Sequence, residues 1–130
     1  MKYKFYDTCS LLLNVENLKD EKNFVVSSVS LSELEAIKNS NHKDYETKAK
    51  ARKVLSYIAN STNCTIWIFK LSMLKPIVDK DLEITPDTKI LATAIDYDYY
   101  HPDEVAFVTN DLSLFNIANL FFGSDSIERI

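Results

Sequence analysis

Glycine is nearly absent from this chain, which contains one Gly and three Pro in 130 residues. A Walker A phosphate loop and a Rossmann glycine fingerprint both need several glycines, so nucleotide binding by either route is excluded. The scarcity of Gly and Pro also excludes low-complexity linkers. With 46% hydrophobic and 26% charged residues, the composition is typical of globular proteins, and the length predicts one domain over residues 1–130.

Cysteine and histidine are also scarce. Cys9 and Cys64 lie in or beside apolar stretches without CxxC spacing, and we interpret them as buried, reduced thiols of a cytoplasmic protein. His42 and His101 are isolated, which disfavours a zinc site. The N-terminus lacks the apolar core of a signal peptide, and no apolar run approaches the ~20 residues of a membrane helix. We therefore expect a soluble intracellular protein that does not contact membranes.

Positive charge is in the minority, and it is unevenly spread. The net charge of −4 argues against nucleic-acid binding through bulk electrostatics alone. One segment, HKDYETKAKARK, is nevertheless strongly basic. Such a run is most often the solvated face of a helix. The alternative is that its basic side chains contact nucleic-acid phosphates, and the residues concerned are Lys48, Lys50, Arg52 and Lys53.

Strand-like and helical segments alternate along the chain. Between the strand-like segments lie amphipathic helices, one of them over 44–59 and another starting at Thr85 with Pro86 in its first turn. This alternation implies parallel strands joined by right-handed crossovers, so we predict an α/β fold, a three-layer α/β/α sandwich around a mainly parallel sheet. The tail GSDSIERI could begin a further strand of a longer chain. The four predicted strands are KYKFY, NFVVSS, CTIWIF and EVAFVT, the last three expected to be covered on both faces.

Acidic residues recur where these strands end. Asp7 follows the first strand, Glu33 lies in the first turn of the helix after the second, and Asp111 follows the last. Asp87 opens the fourth helix. Ligands of open parallel sheets bind beyond the carboxyl ends of the strands, so these four acids could share one site.

Each acid also has a purely structural explanation. Asp7 and Asp111 could cap helices. Ser30 and Glu33 have the spacing of a capping box, and a carboxylate at Asp87 suits the positive end of a helix dipole. These explanations remain open at the level of the residues alone.

The position of Asp87 argues further for a shared site. It is spaced four and seven residues from Leu91 and Ala94, which places it on the expected buried stripe of its helix. The cations Lys80 and Lys89 are off that stripe, so a carboxylate there would need another partner. Clustered carboxylates repel one another unless a divalent cation joins them, and hard oxygen ligands suit Mg²⁺ or Mn²⁺.

Four segments together resemble the signature segments of PIN-domain nucleases: FYDTCSLL, SVSLSELEAIK, TPDTKILATAI and FVTNDLSLFNIA. Their order and spacing fit, and they cover nearly the whole chain. The most similar subgroup is the PIN module that precedes PhoH-like ATPases. The resemblance implies that Asp7, Glu33, Asp87 and Asp111 form the acidic quartet of the family. It also implies that Thr109 and Asn110 are the polar residues around its last member.

We therefore predict a metal-dependent endoribonuclease acting on single-stranded RNA. Asp7, Asp87 and Asp111 would hold one or two Mg²⁺ or Mn²⁺ ions, with Glu33 as a ligand or a partner of one. Water is then the nucleophile, which suits a site with no Cys, His or Lys nearby. The expected polar helpers are Ser10 and Thr109, although Ser10 could equally be structural.

Two other functions remain open: a nucleic-acid or protein interaction module that has lost turnover, and an enzyme acting on DNA or another phosphate ester. A homodimer and an ATPase domain further along a longer chain are also open. Outside the quartet, we expect Glu35 to face elsewhere on its helix. We expect three further acids to be solvated, namely Asp96, Asp98 and Asp103.

Overall fold

The computed structural model describes residues 2–102 and 104–130, so Asp103, predicted to be solvated, lies outside the described residues. The strands are β1 (Tyr3–Tyr6), β2 (Phe24–Ser27), β3 (Cys64–Trp67), β4 (Val105–Thr109) and β5 (Ile127–Arg129). The helices are α1 (Thr8–Leu13), α2 (Ser28–Lys38), α3 (Tyr45–Asn60), α4 (Lys75–Asp79), α5 (Pro86–Tyr100) and α6 (Leu112–Ala118). Short 3₁₀ helices cover Leu18–Asp20, Leu71–Leu74 and Ser124–Ser126.

The five strands form one sheet in the order β3-β2-β1-β4-β5, and every pairing is parallel. The predicted α/β/α sandwich is therefore confirmed. From the central strand β1 the chain moves outwards through β2 to β3, then returns to the other side of β1 to form β4 and β5. The strand order thus reverses between β1 and β4, and such a switch point is where open parallel sheets bind ligands.

Alternating side chains of the strands pack against different helical layers. Phe5 and Phe107 lie in a core with residues of α5 and α6, whereas Tyr6 and Val108 lie in a core with residues of α1, α2 and α3. All four side chains are at most 1% exposed. This two-residue period follows from the pleat of a strand covered on both faces.

Polar residues at the ends of buried strands begin the following helices. Ser27 ends β2, and its hydroxyl accepts a hydrogen bond from the Val29 amide at 3.1 Å, which caps α2. The predicted capping box of Ser30 and Glu33 is therefore wrong. Because Ser27, the last residue of β2, already caps the helix, α2 begins at Ser28. Ser30 is then buried within α2, and Glu33 lies in its second turn rather than its first.

The outer strands differ from what the sequence predicted. β3 was expected to be covered on both faces, but Thr65 and Ile66 are exposed because β3 is an edge strand that pairs only with β2 among the described strands. The predicted further strand near the C-terminus is confirmed as β5, which pairs with β4. None of the helices within residues 2–102 and 104–130 combines the length and apolar character needed to cross a membrane.

Candidate active site

Asp7 occupies the switch point at the end of β1. Its side chain is 2% exposed, and both carboxylate oxygens accept hydrogen bonds: Oδ1 from the Ser10 amide at 2.8 Å and Oδ2 from the Thr109 hydroxyl at 2.6 Å. The first bond caps α1, as the structural explanation predicted. The second reaches across to β4. Each oxygen of an ionised carboxylate has two lone pairs, so this fixed carboxylate can still accept a further ligand.

Asp111 lies on the other side of the same switch point. Its Oδ1 accepts a hydrogen bond from the Leu114 amide at 2.8 Å and caps α6. Its own amide donates to Thr109 Oγ1 at 3.0 Å. The Thr109 hydroxyl thus donates to Asp7 while it accepts from the Asp111 backbone, so one buried side chain orients both acids. Each of these two acids therefore caps a helix and is hydrogen-bonded to Thr109, Asp7 through its side chain and Asp111 through its backbone amide.

Glu33 reaches this edge from α2. Thr8, which follows Asp7, donates from Oγ1 to Glu33 Oε1 at 2.6 Å, and the same hydroxyl lies 3.1 Å from Ser30 Oγ. The contact spans 25 residues of sequence and fixes the half-buried Glu33 side chain above the start of α1. Sequence reasoning did not single out Thr8 as a site residue. The sequence signal that could have identified Thr8 was its position directly after Asp7 in FYDTCSLL.

Asp87 is in the first turn of α5 and is exposed, so the predicted burial of this carboxylate is wrong. The packed stripe begins one residue later, at the buried Thr88, because the first turn opens into a cleft. Partial desolvation by surrounding protein raises the pKa of the Asp87 carboxyl, and so do the negative charges of Glu33, Asp7 and Asp111. Asp87 therefore shares one electrostatic environment with the other three acids.

A thiol lies among the same four acids. Cys9 was predicted to be buried and the site to lack a cysteine nearby, but both predictions are wrong because α1 turns Cys9 outwards to solvent. Desolvation raises the pKa of the Cys9 thiol, and all four carboxylates raise it further. A raised pKa keeps the thiol protonated and makes it a poor nucleophile. Its pKa therefore reports the negative charge of the four acids, and Cys9 is not expected to act as a reactive group. Cys64 is half-buried, and burial raises its pKa to about 12.

Two of the four acids border an open cleft of about 190 Å³. Asp87 and Asp111 line it together with Thr85 and Ser113. Thr85 caps α5 through a hydrogen bond from the Thr88 amide, which fixes the helix turn that carries Asp87. A phosphate group could approach Asp87 and Asp111 from solvent through this cleft.

The remaining predicted polar residues have structural contacts. Ser10 is fully buried, and its hydroxyl donates to the Val108 carbonyl at 3.2 Å, in agreement with the structural interpretation. The Asn110 side chain is exposed and donates to the Ile130 carbonyl at 2.6 Å. Asn110 thereby ties the end of β5 to the loop that carries Asp111.

Two of the four basic residues predicted to bind phosphate form ion pairs within the protein. Lys50 pairs with Glu46, and Lys53 pairs with Glu16 at 2.7 Å. The third, Arg52, lies over the ring of Tyr45. Glu16, the partner of Lys53, follows the C-terminal end of α1, whereas Asp7 of the acidic cluster caps the N-terminal end of the same helix. Lys48 is partly exposed, and phosphate binding by all four stays a prediction.

Two further sequence interpretations bear on the surroundings of the site. Glu35 forms an ion pair at 2.9 Å with Lys38 of its own helix. Asp96 was predicted to be solvated, but it is partly buried and accepts a hydrogen bond from Trp67 Nε1 at 2.8 Å. The sequence could not show this contact because Trp67 and Asp96 lie on different elements.

The carboxylates of the acidic cluster can be compared with the ligands that Mg²⁺ and Mn²⁺ prefer. Within residues 2–102 and 104–130, no three His, Cys, Asp or Glu side chains are arranged as a ready-made metal site. The chemistry of the donors nevertheless fits Mg²⁺ or Mn²⁺, because Mg²⁺ is usually held by one or two carboxylates and keeps several waters. The carboxylates whose negative charges raise the pKa of Asp87 would also gain from a nearby cation.

The comparison with known families agrees with this architecture. A protein-family model described as PIN domain matches residues 5–121. The chain belongs to the PIN domain family. Members of this family are generally metal-dependent nucleases, and the matched residues include the whole predicted quartet. A search of curated proteins found no match to this PIN domain.

Proposed function

We propose that this PIN domain is a metal-dependent endoribonuclease that hydrolyses phosphodiester bonds in single-stranded RNA. The observation that carries the proposal is the gathering of four acids from distant parts of the chain: desolvation raises the pKa of Asp87, and the charges of Glu33, Asp7 and Asp111 raise it further. Helix capping accounts for Asp7 and Asp111 individually, but bringing them close to Glu33 and Asp87 is unfavourable, because like charges repel. A bound cation would offset this repulsion, so the arrangement favours a cation-dependent site.

In this proposal Asp7, Asp87 and Asp111 hold Mg²⁺ or Mn²⁺, with Glu33 as a further ligand or as the partner of one. The bound ion would offset charge on the phosphate and favour deprotonation of the attacking water. Asp7 provides a fixed donor because two hydrogen bonds hold its carboxylate. Asp87 and Asp111 line the cleft, where they would meet the incoming phosphodiester.

The finer features of the proposal rest on sequence resemblance and composition. We place this PIN domain in the subgroup that precedes PhoH-like ATPases, and we propose Mg²⁺ or Mn²⁺ as its ion, RNA as its substrate and the cytoplasm as its location. Lys48, Lys50, Arg52 and Lys53 are proposed to bind RNA phosphates beside the acidic site.

The test is cleavage of labelled single-stranded RNA and DNA of matched sequence, with Mn²⁺ or Mg²⁺ and with EDTA. We expect internal cleavage of RNA that needs the metal and is lost in Asp7→Asn. Equal cleavage of DNA would contradict the assignment of RNA. If RNA binds without being cleaved under any condition, the alternative of an interaction module without turnover is correct.

A further inference from the structure

We propose that the cavity beside the end of β3 binds a guanine base of the RNA, at a subsite separate from the acidic cluster. The cavity lies between the end of β3 with the segment that follows it and the C-terminal half of α5. Its volume of about 520 Å³ is in the range of small-ligand sites. The proposal takes RNA as the ligand from the proposed function, and adds the place and the identity of one bound base. The lining of the cavity includes Trp67, Lys70, Asp96 and Tyr100.

Two aromatic side chains form a wall of this cavity on which a base can stack. The Trp67 ring is held by the hydrogen bond that its Nε1 donates to Asp96 at 2.8 Å and by an edge contact with Tyr97, at 5.0 Å between ring centres. The Tyr100 ring lies 6.1 Å from Trp67, and this side chain is 65% exposed. Proteins that recognise single-stranded RNA stack its bases on such rings. The wall therefore favours a flat aromatic ligand.

The acidic group of the cavity favours a base rather than a phosphate. Asp96 is partly buried, and its Oδ2 accepts the Trp67 hydrogen bond. An ionised carboxylate has about four acceptor sites, so Asp96 can accept further N–H donors. Within the described part of the chain Asp96 forms no ion pair. A partly buried charge without a counterion is unfavourable, and a neutral acceptor would be sufficient for Trp67. Donors from a ligand would give the charge of Asp96 a role.

The combination of Asp96 with Lys70 selects among the bases. Lys70 is exposed on the same cavity, and its ammonium group is a donor only. Guanine presents two neighbouring N–H groups beside the O6 acceptor on one edge, which matches a carboxylate next to an ammonium group. Uracil presents a single N–H between two carbonyl oxygens, and the carboxylate would repel these oxygens. Guanine therefore fits the polar groups of the cavity better than uracil.

Helix α5 connects the cavity to the acidic cluster. Asp87 lies in its first turn, and Asp96 follows nine residues later, about 14 Å further along the helix axis. Lys89 lies between them, two turns before Asp96 and on the same side of the helix. The Lys89 ammonium group is 5.9 Å from the centre of the Phe69 ring, which belongs to the segment after β3, and it could contact a phosphate of the strand. One RNA strand can therefore reach both sites, with its guanine at a fixed distance from the bond that is cut.

The first test is RNA binding in EDTA, measured by fluorescence anisotropy with a labelled uridine oligomer and the same oligomer containing one central guanosine. We expect the wild type to bind the guanosine RNA about tenfold more tightly, as for a bidentate contact. Asp96→Asn should lose this preference, because Asn keeps an oxygen for Trp67 but replaces the other oxygen with a donor. Asp125→Asn removes an equal charge at an exposed residue before β5 and should keep the preference.

Three results would overturn the proposal. The first is a wild type that binds both RNAs equally or binds neither. The second is a guanosine preference that persists in folded Asp96→Asn. The third is a preference that is lost equally in Asp125→Asn, since the effect would then be one of general charge.

A second test observes the cavity directly. Trp67 is the single Trp of the sequence, so its intrinsic fluorescence should change when the guanosine RNA binds and not when the uridine oligomer is added at the same concentration. Tyr100→Ala should weaken binding of the guanosine RNA by about 5–100-fold, the range for one stacked base. Tyr100→Phe keeps the ring and should bind like the wild type. Guanosine RNA that binds without any change in Trp67 fluorescence contradicts binding in this cavity.

Guanosine monophosphate distinguishes a base of RNA from a free nucleotide. We expect the mononucleotide to change Trp67 fluorescence only at concentrations at least tenfold above those of the guanosine RNA, because it cannot also contact the rest of the strand's path. Tighter binding of the mononucleotide than of the RNA would identify a free-nucleotide site and overturn the proposal.

Cleavage with Mn²⁺ is a separate measurement, so the two proposals can fail independently. A guanosine preference in a protein that cuts no RNA supports this subsite and contradicts the proposed function. Cleavage of RNA without any guanosine preference does the reverse.

Discussion

The Thr109 hydroxyl connects the two acids at the switch point: it donates to Asp7 Oδ2 at 2.6 Å and accepts the Asp111 amide at 3.0 Å. Thr109→Val keeps the shape of the buried side chain but removes both bonds. We expect a loss of about 1–3 kcal/mol in the free energy of unfolding and a decrease of about 10–100-fold in metal-dependent cleavage. Thr109→Ser, which retains the hydroxyl, should recover most of the activity. Full activity of Thr109→Val in a folded protein would disprove this positioning role.

Asp7→Asn should reduce metal-dependent RNA cleavage by about 100-fold or more, because a metal ligand contributes several kcal/mol to transition-state charge stabilisation. Asn caps helices nearly as well as Asp, so the circular dichroism spectrum should not change. Asp111→Asn should behave in the same way, since Asp111 also caps its helix. Near-full activity of either folded variant would mean that the residue concerned is a cap only.

The raised pKa of Asp87 predicts a stability difference that depends on metal. A carboxyl whose folded pKa exceeds its unfolded value favours the fold below the unfolded pKa of about 3.9. That advantage is lost as the pH rises through the folded pKa, so ionised Asp87 is a cost at neutral pH. With EDTA at pH 7, Asp87→Asn should therefore unfold at the same temperature as the wild type or higher, and the advantage should shrink towards pH 4.

Addition of Mn²⁺ should reverse this order. An ion that binds only the folded wild type adds about 2.7 kcal/mol at a concentration 100 times its Kd. The control is Asp44→Asn, because hydrogen bonds from Thr47 lower the pKa of Asp44. At pH 7 the difference in stability between Asp44→Asn and the wild type should be the same with EDTA and with Mn²⁺. If thermal melts show Asp87→Asn less stable than the wild type in EDTA as well, repulsion within the cluster is not a significant cost.

Cys9 provides a chemical probe of the acidic cluster that does not require activity. In a Cys64→Ser protein without metal, iodoacetamide should modify Cys9 slowly at pH 8, because desolvation and the four carboxylates raise its pKa. Asp87→Asn should speed the reaction by about two- to fivefold, because removal of one of the four negative charges lowers the pKa of the thiol. Glu46→Gln, a change on α3 where Glu46 pairs with Lys50, should have no effect. An identical rate in all three proteins would mean that Asp87 does not act on this thiol.

The proposed RNA-binding role of α3 can be separated from general charge effects. Lys48→Glu with Arg52→Glu should weaken RNA binding and reduce the dependence of log K on log salt by about 0.7 for each RNA phosphate that the variant no longer neutralises. Lys75→Glu with Lys80→Glu changes the net charge equally at or next to α4 and should leave the slope nearly unchanged. Equal slopes for both double variants, measured by fluorescence anisotropy, would support the solvated-face interpretation of α3.

The sequence by itself was sufficient for the fold class, the strand positions and the placement of acids after strands. These features depend on local rules: a buried parallel strand is a short apolar run, and the next polar residue caps the helix that follows. Asp7, Thr85 and Asp111 all cap helices in the structure. The resemblance of four short segments to PIN-domain nucleases was also sufficient for the family.

Only the tertiary structure decided which side chains meet and which are exposed. The contact of Thr8 with Glu33, the Thr109 bond to Asp7 and the place of Cys9 among the acids join elements far apart in sequence. The exposed edge of β3 likewise follows from strand order, because CTIW would be equally suited to a central strand. The physical reason is that propensity and capping act within a few residues, whereas burial and electrostatic clustering depend on how whole elements pack.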